Sequence, residues 1–238
     1  MDNTLYTTLN RQAGLLQEMR AIANNIANSD TAGFRREGVV FAEHVVRLGK
    51  DEPSLAMADG VARMMDLRNG ALQPTGGALD IALEGEGFLL LSTTDGDRLT
   101  RAGSFTLSPE GEIVAADGAR LLDAGGAVIA VPPGSGKPVI ARDGTVSVGG
   151  TPFAQIGVYL PADPASLRHE GGTRFAFDGQ AEPAEGAQVF QGFVEASNVE
   201  PVREITRMIE VQRAYEAGQG FLDREDSRIR AVIETLGR

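Results

Sequence analysis

Apolar residues recur at heptad spacing near both ends of the chain, and this spacing predicts a helix at each end. Near the N-terminus the recurring positions step by four and three residues, at Leu5, Leu9, Gln12, Leu16, Met19, Ala23 and Ile26. This alternation places all of them on one helix face, as in a coiled coil. The turn-forming sequence "SDTAG" at 29–33 ends the predicted helix.

The C-terminal segment carries a second seam of the same kind. Its positions are Ile205, Met208, Gln212, Tyr215, Gln219, Leu222, Asp226, Ile229, Ile233 and Leu236. Polar residues within a seam lower stability but fix register and partner. Pro201 suits the first turn of this helix. Gly218 and Gly220 are expected to weaken its middle, each by roughly 1 kcal/mol relative to alanine.

The middle of the chain changes to a period of two, with closely spaced turn signals. Asp-Gly, Glu-Gly and Gly-Gly dipeptides separate short β-prone runs such as "GFLLLST" and "AQIGVYL". This pattern is typical of antiparallel sheets joined by tight turns. It predicts an α+β fold in which terminal helices, at 1–35 and 195–238, pack as a coiled coil. Residues 79–194 form the β-rich domain, and 36–78 an irregular connector in which strand and helix both remain open.

Composition excludes several classes of function. The net charge of −11 argues against a nucleic-acid partner, which requires a basic face, and against binding to an anionic membrane. The absence of cysteine excludes disulfides and thiolate sites. No apolar run has the roughly 18 residues that a membrane-spanning helix needs, so no membrane insertion is expected. The first residues lack the features of a cleaved secretory signal, and we expect none.

Motifs that would carry chemistry are incomplete. The Gly-Lys loop at 132–140 lacks the first glycine of a phosphate-binding loop and has Pro138 after its lysine. His44 and His169 have no partner at metal-ligand spacing, and Asp95 with Asp97 does not continue as a calcium loop. We therefore expect neither catalysis nor a cofactor nor a metal.

Asparagines cluster on the side of the first helix opposite its seam. Asn24, Asn25 and Asn28 fall on this back face, where a solvated helix usually carries lysine and glutamate. One interpretation is ordinary polar surface. The other is a face buried against further subunits, because amides hydrogen-bond there without the desolvation cost of a charge.

Three segments resemble bacterial flagellar rod and hook proteins. The stretch "LLQEMRAIANNIANSDTAGFRREGVVF" is similar to their N-terminal signature, and "EASNVEPVREITRMIEVQRAYEAGQGFL" to their C-terminal one. The segment at 77–122 is similar to the central part shared by rod proteins. The chain length and the opening "MDNTLYTT" favour the proximal over the distal rod protein of this family.

The resemblance implies a structural, non-enzymatic subunit without cofactors. Such a subunit leaves the cytoplasm through the flagellar type III export apparatus, unprocessed, and polymerises in the periplasm with itself and other rod subunits. Its interface is expected to use the terminal helices. The predicted interface residues are Leu5, Leu9, Leu16, Met19, Asn24, Asn25, Ile26, Asn28, Ile205, Met208, Gln212, Tyr215, Leu222, Ile229 and Leu236.

Two alternatives remain open at this point. One is a paralogous distal rod or hook protein. The other is a secreted β-domain enzyme or binding protein that dimerises through its helical ends. The low aromatic content of 5% opposes a carbohydrate site, which usually presents tryptophan or tyrosine platforms.

Overall fold

A computed structural model describes residues 2–46, 55–184 and 186–236. Side chains are described for these residues except 2–6, 41–46 and 55–63. A long helix lies at each end of the chain, α1 at Asp2–Ala27 and α2 at Pro201–Leu236. A short 3-10 helix spans Pro164–Ser166, where the Asp163 side chain accepts a hydrogen bond from the Ala165 backbone N–H.

The described residues between the two helices form short strands. In chain order these are β1 Glu37–Val46, β2 Leu55–Met65, β3 Leu72–Pro74, β4 Ile81–Glu84, β5 Phe88–Thr93, β6 Gly96–Thr100, β7 Phe105–Leu107, β8 Ile113–Ala115, β9 Arg120–Leu121, β10 Val139–Ile140, β11 Thr145–Val148, β12 Thr151–Gln155, β13 Val158–Pro161, β14 Arg168–His169, β15 Arg174–Ala176, β16 Ala181–Pro183, β17 Gln188–Gln191 and β18 Phe193–Glu195.

These strands pair antiparallel throughout the described part of the chain. The largest sheet has the order β14-β15-β6-β5-β9-β8-β7, and β13 joins it by pairing with β5 and β16. A second sheet has the order β10-β11-β12. The remaining pairs are β1 with β2, β4 with β17, and β3 with β18.

The chain divides into two units. The helical unit comprises Met1–Ala27, Glu37–Asp66 and Glu200–Arg238, and the β unit comprises Asn28–Arg36 and Leu67–Val199. The β unit encloses one apolar core, built by inward-facing residues of several strands. Its fully covered members include Ile81, Leu91, Ile113, Leu121 and Val146. Burial of this apolar area is the main favourable term in folding the unit.

The predicted α+β class, with a helix at each end and a β-rich middle, is confirmed. The segment 36–78, predicted as an irregular connector, contains β1, β2 and β3. Its β-branched run "VVFAEHVV" explains β1, because branched side chains fit a pleated strand well. Residues 47–54 of this segment lie outside the described residues.

Candidate assembly surface

The two long helices contact each other within the helical unit and run antiparallel. Gln12 Nε2 donates to the Tyr215 carbonyl oxygen at 2.9 Å, and Arg207 pairs with Glu18 at 2.7 Å. Asn25 Nδ2 lies 3.0 Å from Glu204 Oε2. Later residues of α1 therefore lie beside earlier residues of α2, and this order fixes which parts of each helix are covered.

One row of the predicted α1 seam faces outward. Leu9 is 51% exposed and Leu16, seven residues later, is 39% exposed. Ala23 continues the row and is also exposed. The buried residues of α1 include Gln12, Ala21 and Ile22 instead. The leucine row is therefore an apolar surface that the chain itself does not cover.

The remaining seam residues of α1 vary in exposure. Met19 and Ile26 are half-buried. The Leu5 side chain lies outside the described residues. Gln12 is buried although it is polar, because it reaches the backbone of α2.

The three asparagines of the predicted back face differ in their surroundings. Asn24 is exposed, whereas Asn25 is fully buried. Asn25 donates to the Glu37 carbonyl oxygen at 2.8 Å and accepts from the Glu37 N–H at 2.9 Å. Asn28 is half-buried in the turn after α1, where its backbone carbonyl oxygen accepts a hydrogen bond from the Thr31 N–H at 3.1 Å. Asn25 thus joins α1 to the first residue of β1, inside the helical unit, and does not face outward as predicted.

The predicted seam residues of α2 are half-buried in the middle of the helix and exposed at both ends. Met208, Tyr215 and Leu222 are half-buried, whereas Ile205, the first of them, is exposed. At the far end Ile229 is exposed, and Leu236 is 82% exposed. Gln212 is exposed and donates to Glu216 Oε1 at 3.0 Å, so it forms a pair on its own helix surface.

Sequence reasoning missed further exposed apolar residues on α2. They are Val202, Ile209 and Val232. Val202, Ile205 and Ile209 follow spacings of three and four, as do Ile229, Val232 and Leu236. These spacings were visible in the sequence as additional rows beside the assigned seam.

Gly218 lies where α2 approaches Gln12 most closely. A Cβ atom added there would lie 1.9 Å from Gln12 Nε2, whereas one added at Gly220 would meet nothing within 4 Å. The absence of a side chain at 218 thus admits the buried amide of Gln12. Both glycines were expected only to weaken the helix, but the packing of α1 against α2 explains why residue 218 is a glycine.

A buried charge cluster in the β unit was not predicted. Glu195 is fully buried and accepts hydrogen bonds from Arg35 at 2.5 Å and Arg101 at 3.0 Å. The Gly70 backbone N–H donates to the same carboxylate at 2.7 Å. Burial lowers the pKa of Arg101 from its ordinary value, and the Glu195 carboxylate opposes that shift. The cluster is a structural centre, because all three charged side chains are held by one another and by the backbone.

The turn at 29–33, which follows α1, is held by the same residue, Glu195 at the end of β18. Gly33 has φ +75° and its N–H donates to the Glu195 carbonyl oxygen at 2.7 Å. A side chain at 33 would collide with the backbone of Arg101 and Ala102. The glycine of "SDTAG" therefore satisfies both a left-handed conformation and a close approach. Only the turn itself was predictable, since residues 33 and 195 are far apart in sequence.

Within the part of the chain that the structure describes, no group of three or more histidine, aspartate or glutamate side chains is arranged to hold a metal ion. His169 lies against Phe34 at a ring-centroid distance of 5.0 Å, and its Nε2 lies 3.0 Å from the Arg35 carbonyl oxygen. It is therefore a packed aromatic residue of the β unit. None of the described helices is long and apolar enough to cross a membrane.

Three protein families match successive parts of the chain. Residues 5–35 match "Flagella basal body rod protein", residues 82–148 match "Flagellar hook protein FlgE/F/G D1 domain", and residues 191–235 match "Flagellar basal body rod FlgEFG protein C-terminal". The first and third matches contain most of α1 and most of α2, the elements that carry the exposed apolar rows.

Relatives align with the chain over its full length. A protein of Caulobacter vibrioides named flagellar basal-body rod protein FlgF is 38% identical over 245 residues, which cover 100% of this chain and 99% of the relative. Proteins of the same name from Mesorhizobium japonicum and Rhizobium meliloti are each 33% identical, again over 100% of this chain and 99% of the relative. These names describe structural rod proteins rather than enzymes. The chain therefore belongs to the flagellar basal-body rod protein family.

Proposed function

We propose that this chain is a structural subunit of the proximal rod, which polymerises through its terminal helices and transmits torque. As a member of the rod family it interacts with other rod and basal-body components. The observation that carries the proposal is the apolar surface on both helices, represented by Leu9 and Leu16 on α1 and by Ile233 and Leu236 on α2.

The physical reason is the cost of leaving such surfaces in water. Each exposed leucine or isoleucine that becomes buried contributes roughly 1.5–3 kcal/mol. Apolar residues scattered singly on a surface need no explanation, but rows along a helix face mark an interaction surface. A helical polymer covers such rows on every subunit except those at its ends.

The proposed interface is a coiled-coil layer made by the terminal helices, within 1–35 and 195–238. It comprises the residues predicted above, from Leu5 to Asn28 and from Ile205 to Leu236. Asn25 contributes indirectly, because it ties α1 to β1 inside one subunit. Asn24 is exposed and is the amide that would meet a neighbouring subunit.

The proximal position is supported by the shared name of the three relatives, since FlgF is the proximal rod protein of this family. We propose that the subunit reaches the periplasm through the type III export apparatus without a cleaved signal. The intact mass of the subunit from isolated basal bodies tests the absence of cleavage. A density map of the basal body, with this chain located between its neighbours, distinguishes a proximal from a distal position.

The substitution Leu16→Asp tests the function, in cells that lack their own copy of the chain. It places a carboxylate on the exposed leucine row, and burying that charge in an interface costs several kcal/mol. We expect normal export, few intact basal bodies and loss of motility. Swimming in soft agar, counts of basal bodies and the amount of secreted subunit measure these outcomes.

Leu107→Asp is the matched control. Leu107 lies on β7 of the β unit and is 45% exposed, close to the 39% of Leu16, but it belongs to neither helix. We expect this variant to remain motile. Motile cells carrying Leu16→Asp, with normal numbers of basal bodies, would exclude the leucine row from assembly.

A further inference from the structure

The sequence contains one Asn-Gly dipeptide, Asn69–Gly70, shortly before β3. In such a dipeptide the asparagine is prone to deamidation, because glycine has no side chain to keep its backbone nitrogen away from the preceding amide. A Cβ atom added at residue 70 would lie 1.9 Å from the Ala196 carbonyl oxygen. Packing of the β unit therefore requires glycine after Asn69, so the fold itself preserves the reactive pair.

Both residues of the dipeptide contact the buried charge cluster of the β unit. Asn69 is exposed, and its Oδ1 accepts a hydrogen bond from Arg35 Nη2 at 3.3 Å. Its Nδ2 donates to the Gly85 carbonyl oxygen at 3.1 Å. The Gly70 N–H donates to Glu195 Oε1 at 2.7 Å. A chemical change at residue 69 therefore acts directly on this cluster.

The cluster contains more positive than negative charge. The buried guanidinium groups of Arg35 and Arg101 share the single carboxylate of Glu195. Burial lowers the pKa of Arg101, Glu195 opposes that shift, and the charge of Arg35 adds to it. Among the residues that the structure describes, Arg35 contacts no second carboxylate. Incomplete compensation of a buried charge costs free energy.

A carboxylate in place of the Asn69 amide would supply the missing negative charge. It would keep the acceptor for Arg35, and hydrogen bonds between ionised groups are roughly twice as strong as neutral ones. The exchange removes the donor to the Gly85 carbonyl oxygen, but Arg101 Nη2 also donates to that oxygen, at 2.7 Å. One contact becomes stronger, and no acceptor loses its last donor.

We propose that Asn69 is a site of spontaneous deamidation, and that its aspartate product serves as a second carboxylate of the buried cluster. The Gly70 nitrogen attacks Cγ of Asn69, the Cγ–Nδ2 bond breaks, and the proton of the attacking nitrogen passes through water to the departing ammonia. The product is a cyclic imide. Water then opens the ring at Cγ, which gives aspartate, or at the backbone carbonyl carbon, which gives isoaspartate.

The fold distinguishes the two products. In isoaspartate the main chain runs through the side chain and is longer by one methylene group between residues 69 and 70. Gly70 cannot take up this length, because its Cα lies close to Ala196 and its N–H is held by Glu195. The Ala196 N–H also donates to the Ala71 carbonyl oxygen at 2.8 Å. The folded unit therefore accepts aspartate and excludes isoaspartate, and the reaction itself proceeds in chains that are unfolded or locally open.

The variant Asn69→Asp tests the effect of the product in the full chain. We expect the thermal midpoint of the β unit, followed by circular dichroism, to rise by roughly 2–4 °C, because a neutral hydrogen bond becomes charge-assisted. Gln73→Glu is the matched control. It makes the same exchange of amide for carboxylate at an exposed position of β3 that is not a hydrogen-bond partner of Arg35.

The control should gain no stability, because the chain already has a net charge of −11 and a further negative charge has no general benefit. The gain from Asn69→Asp should also decrease in concentrated salt, which screens the new pair. An unchanged or lower midpoint in Asn69→Asp, or an equal rise in both variants, would overturn the role of residue 69 in the cluster.

Incubation of the wild-type chain in guanidinium chloride at mildly alkaline pH tests the reaction. Peptide mass spectrometry compares Asn69 with Asn198, which precedes the β-branched Val199 and should close the ring more slowly. We expect Asn69 to deamidate several-fold faster, and the fraction that refolds to contain aspartate but little isoaspartate. Equal rates at the two asparagines would overturn the modification site, and isoaspartate in the folded fraction at its original proportion would overturn the selection of aspartate.

Discussion

The two units of the molecule differ in how completely they cover their own apolar residues. In the β unit Ile81, Leu99, Ile113 and Phe175 have no exposed surface. In the helical unit Leu16 is 39% exposed and Ile233 is 64% exposed. One chain therefore contains a unit whose core is closed by its own strands and a unit that leaves apolar rows in solvent.

This difference separates two sources of stability. The β unit gains its apolar burial within the monomer, so its stability does not depend on concentration. The helices obtain only part of their burial from each other, and most helical stability in proteins comes from packing of an apolar face. Contacts with neighbouring subunits add to the stability of the helical unit by mass action.

Hydrogen exchange on the free chain gives the largest expected contrast. Amides in β5 lie in the centre of the main sheet and should open only with global unfolding, whereas amides in residues 228–236 lie on an isolated helix end. With ordinary stabilities of 5–15 kcal/mol, β5 should exchange at least about 1,000-fold more slowly. Equal protection of both segments in a dilute sample of monomer mass would contradict the distinction.

Glu195→Gln is expected to destabilise the β unit strongly. It removes the one carboxylate that the buried guanidinium groups of Arg35 and Arg101 share. Breaking a buried ion pair in this way costs about 3–5 kcal/mol, because a buried charge is left uncompensated. Chemical denaturation followed by circular dichroism measures the loss.

Glu170→Gln is the control for this variant. Glu170 pairs with Arg98 on the surface of the same unit, and the Arg98 hydrogen bond holds the pKa of Glu170 below its usual range. Because the Glu170 side chain is 49% exposed, water screens this pair and we expect a small change. Equal losses in the two variants would mean that burial of the Glu195 cluster has no special importance.

The adjacent asparagines of α1 provide a third test, in the helical unit. Asn25→Ala removes both hydrogen bonds to the Glu37 backbone, and a buried group left unsatisfied costs about 1–3 kcal/mol. Asn24→Ala changes an exposed position and should cost less than Asn25→Ala. Thermal unfolding of both variants measures the difference. A larger loss from Asn24→Ala would show that the buried bonds are not what stabilises this end of α1.

These asparagines also show how far the sequence could predict the structure. Periodicity along the chain predicted both helices, since it reflects local geometry. It also placed Asn24 and Asn25 together on one back face. It could not separate them, because the partner of Asn25 is the backbone of β1, which periodicity does not reveal. The sequence identified Leu9 and Leu16 as part of an apolar helix face. It could not show whether that face packs against α2 of the same chain or stays exposed, because this depends on tertiary contacts.

The charge cluster marks a second limit. Glu195 lies 160 positions from Arg35 and 94 from Arg101, and no spacing rule connects residues so far apart. The turn at 29–33 was predictable from its composition, yet the close approach of Gly33 to Arg101 and Ala102 was not. Local patterns identified the elements, whereas contacts between distant segments required the fold.

The two glycines of α2 give the smallest expected effect and distinguish propensity from packing. Gly220→Ala adds a methyl group where nothing lies within 4 Å, so it should stabilise the helix by about 0.4–1 kcal/mol. Gly218→Ala gains the same propensity, but its Cβ would lie 1.9 Å from Gln12 Nε2. Gln12 must then move and lose its hydrogen bond to Tyr215, which is worth about 0.5–1.5 kcal/mol.

We therefore expect Gly220→Ala to raise the thermal midpoint of the helical unit and Gly218→Ala to leave it unchanged or lower it. Circular dichroism at a helical wavelength, with both variants at one protein concentration, measures the two midpoints. The variant pair Gln12→Ala with Gly218→Ala completes a double-mutant cycle, because removal of the amide should restore the benefit of alanine at 218. Equal stabilisation by both single glycine substitutions would show that the approach of Gln12 to Gly218 imposes no constraint on α2.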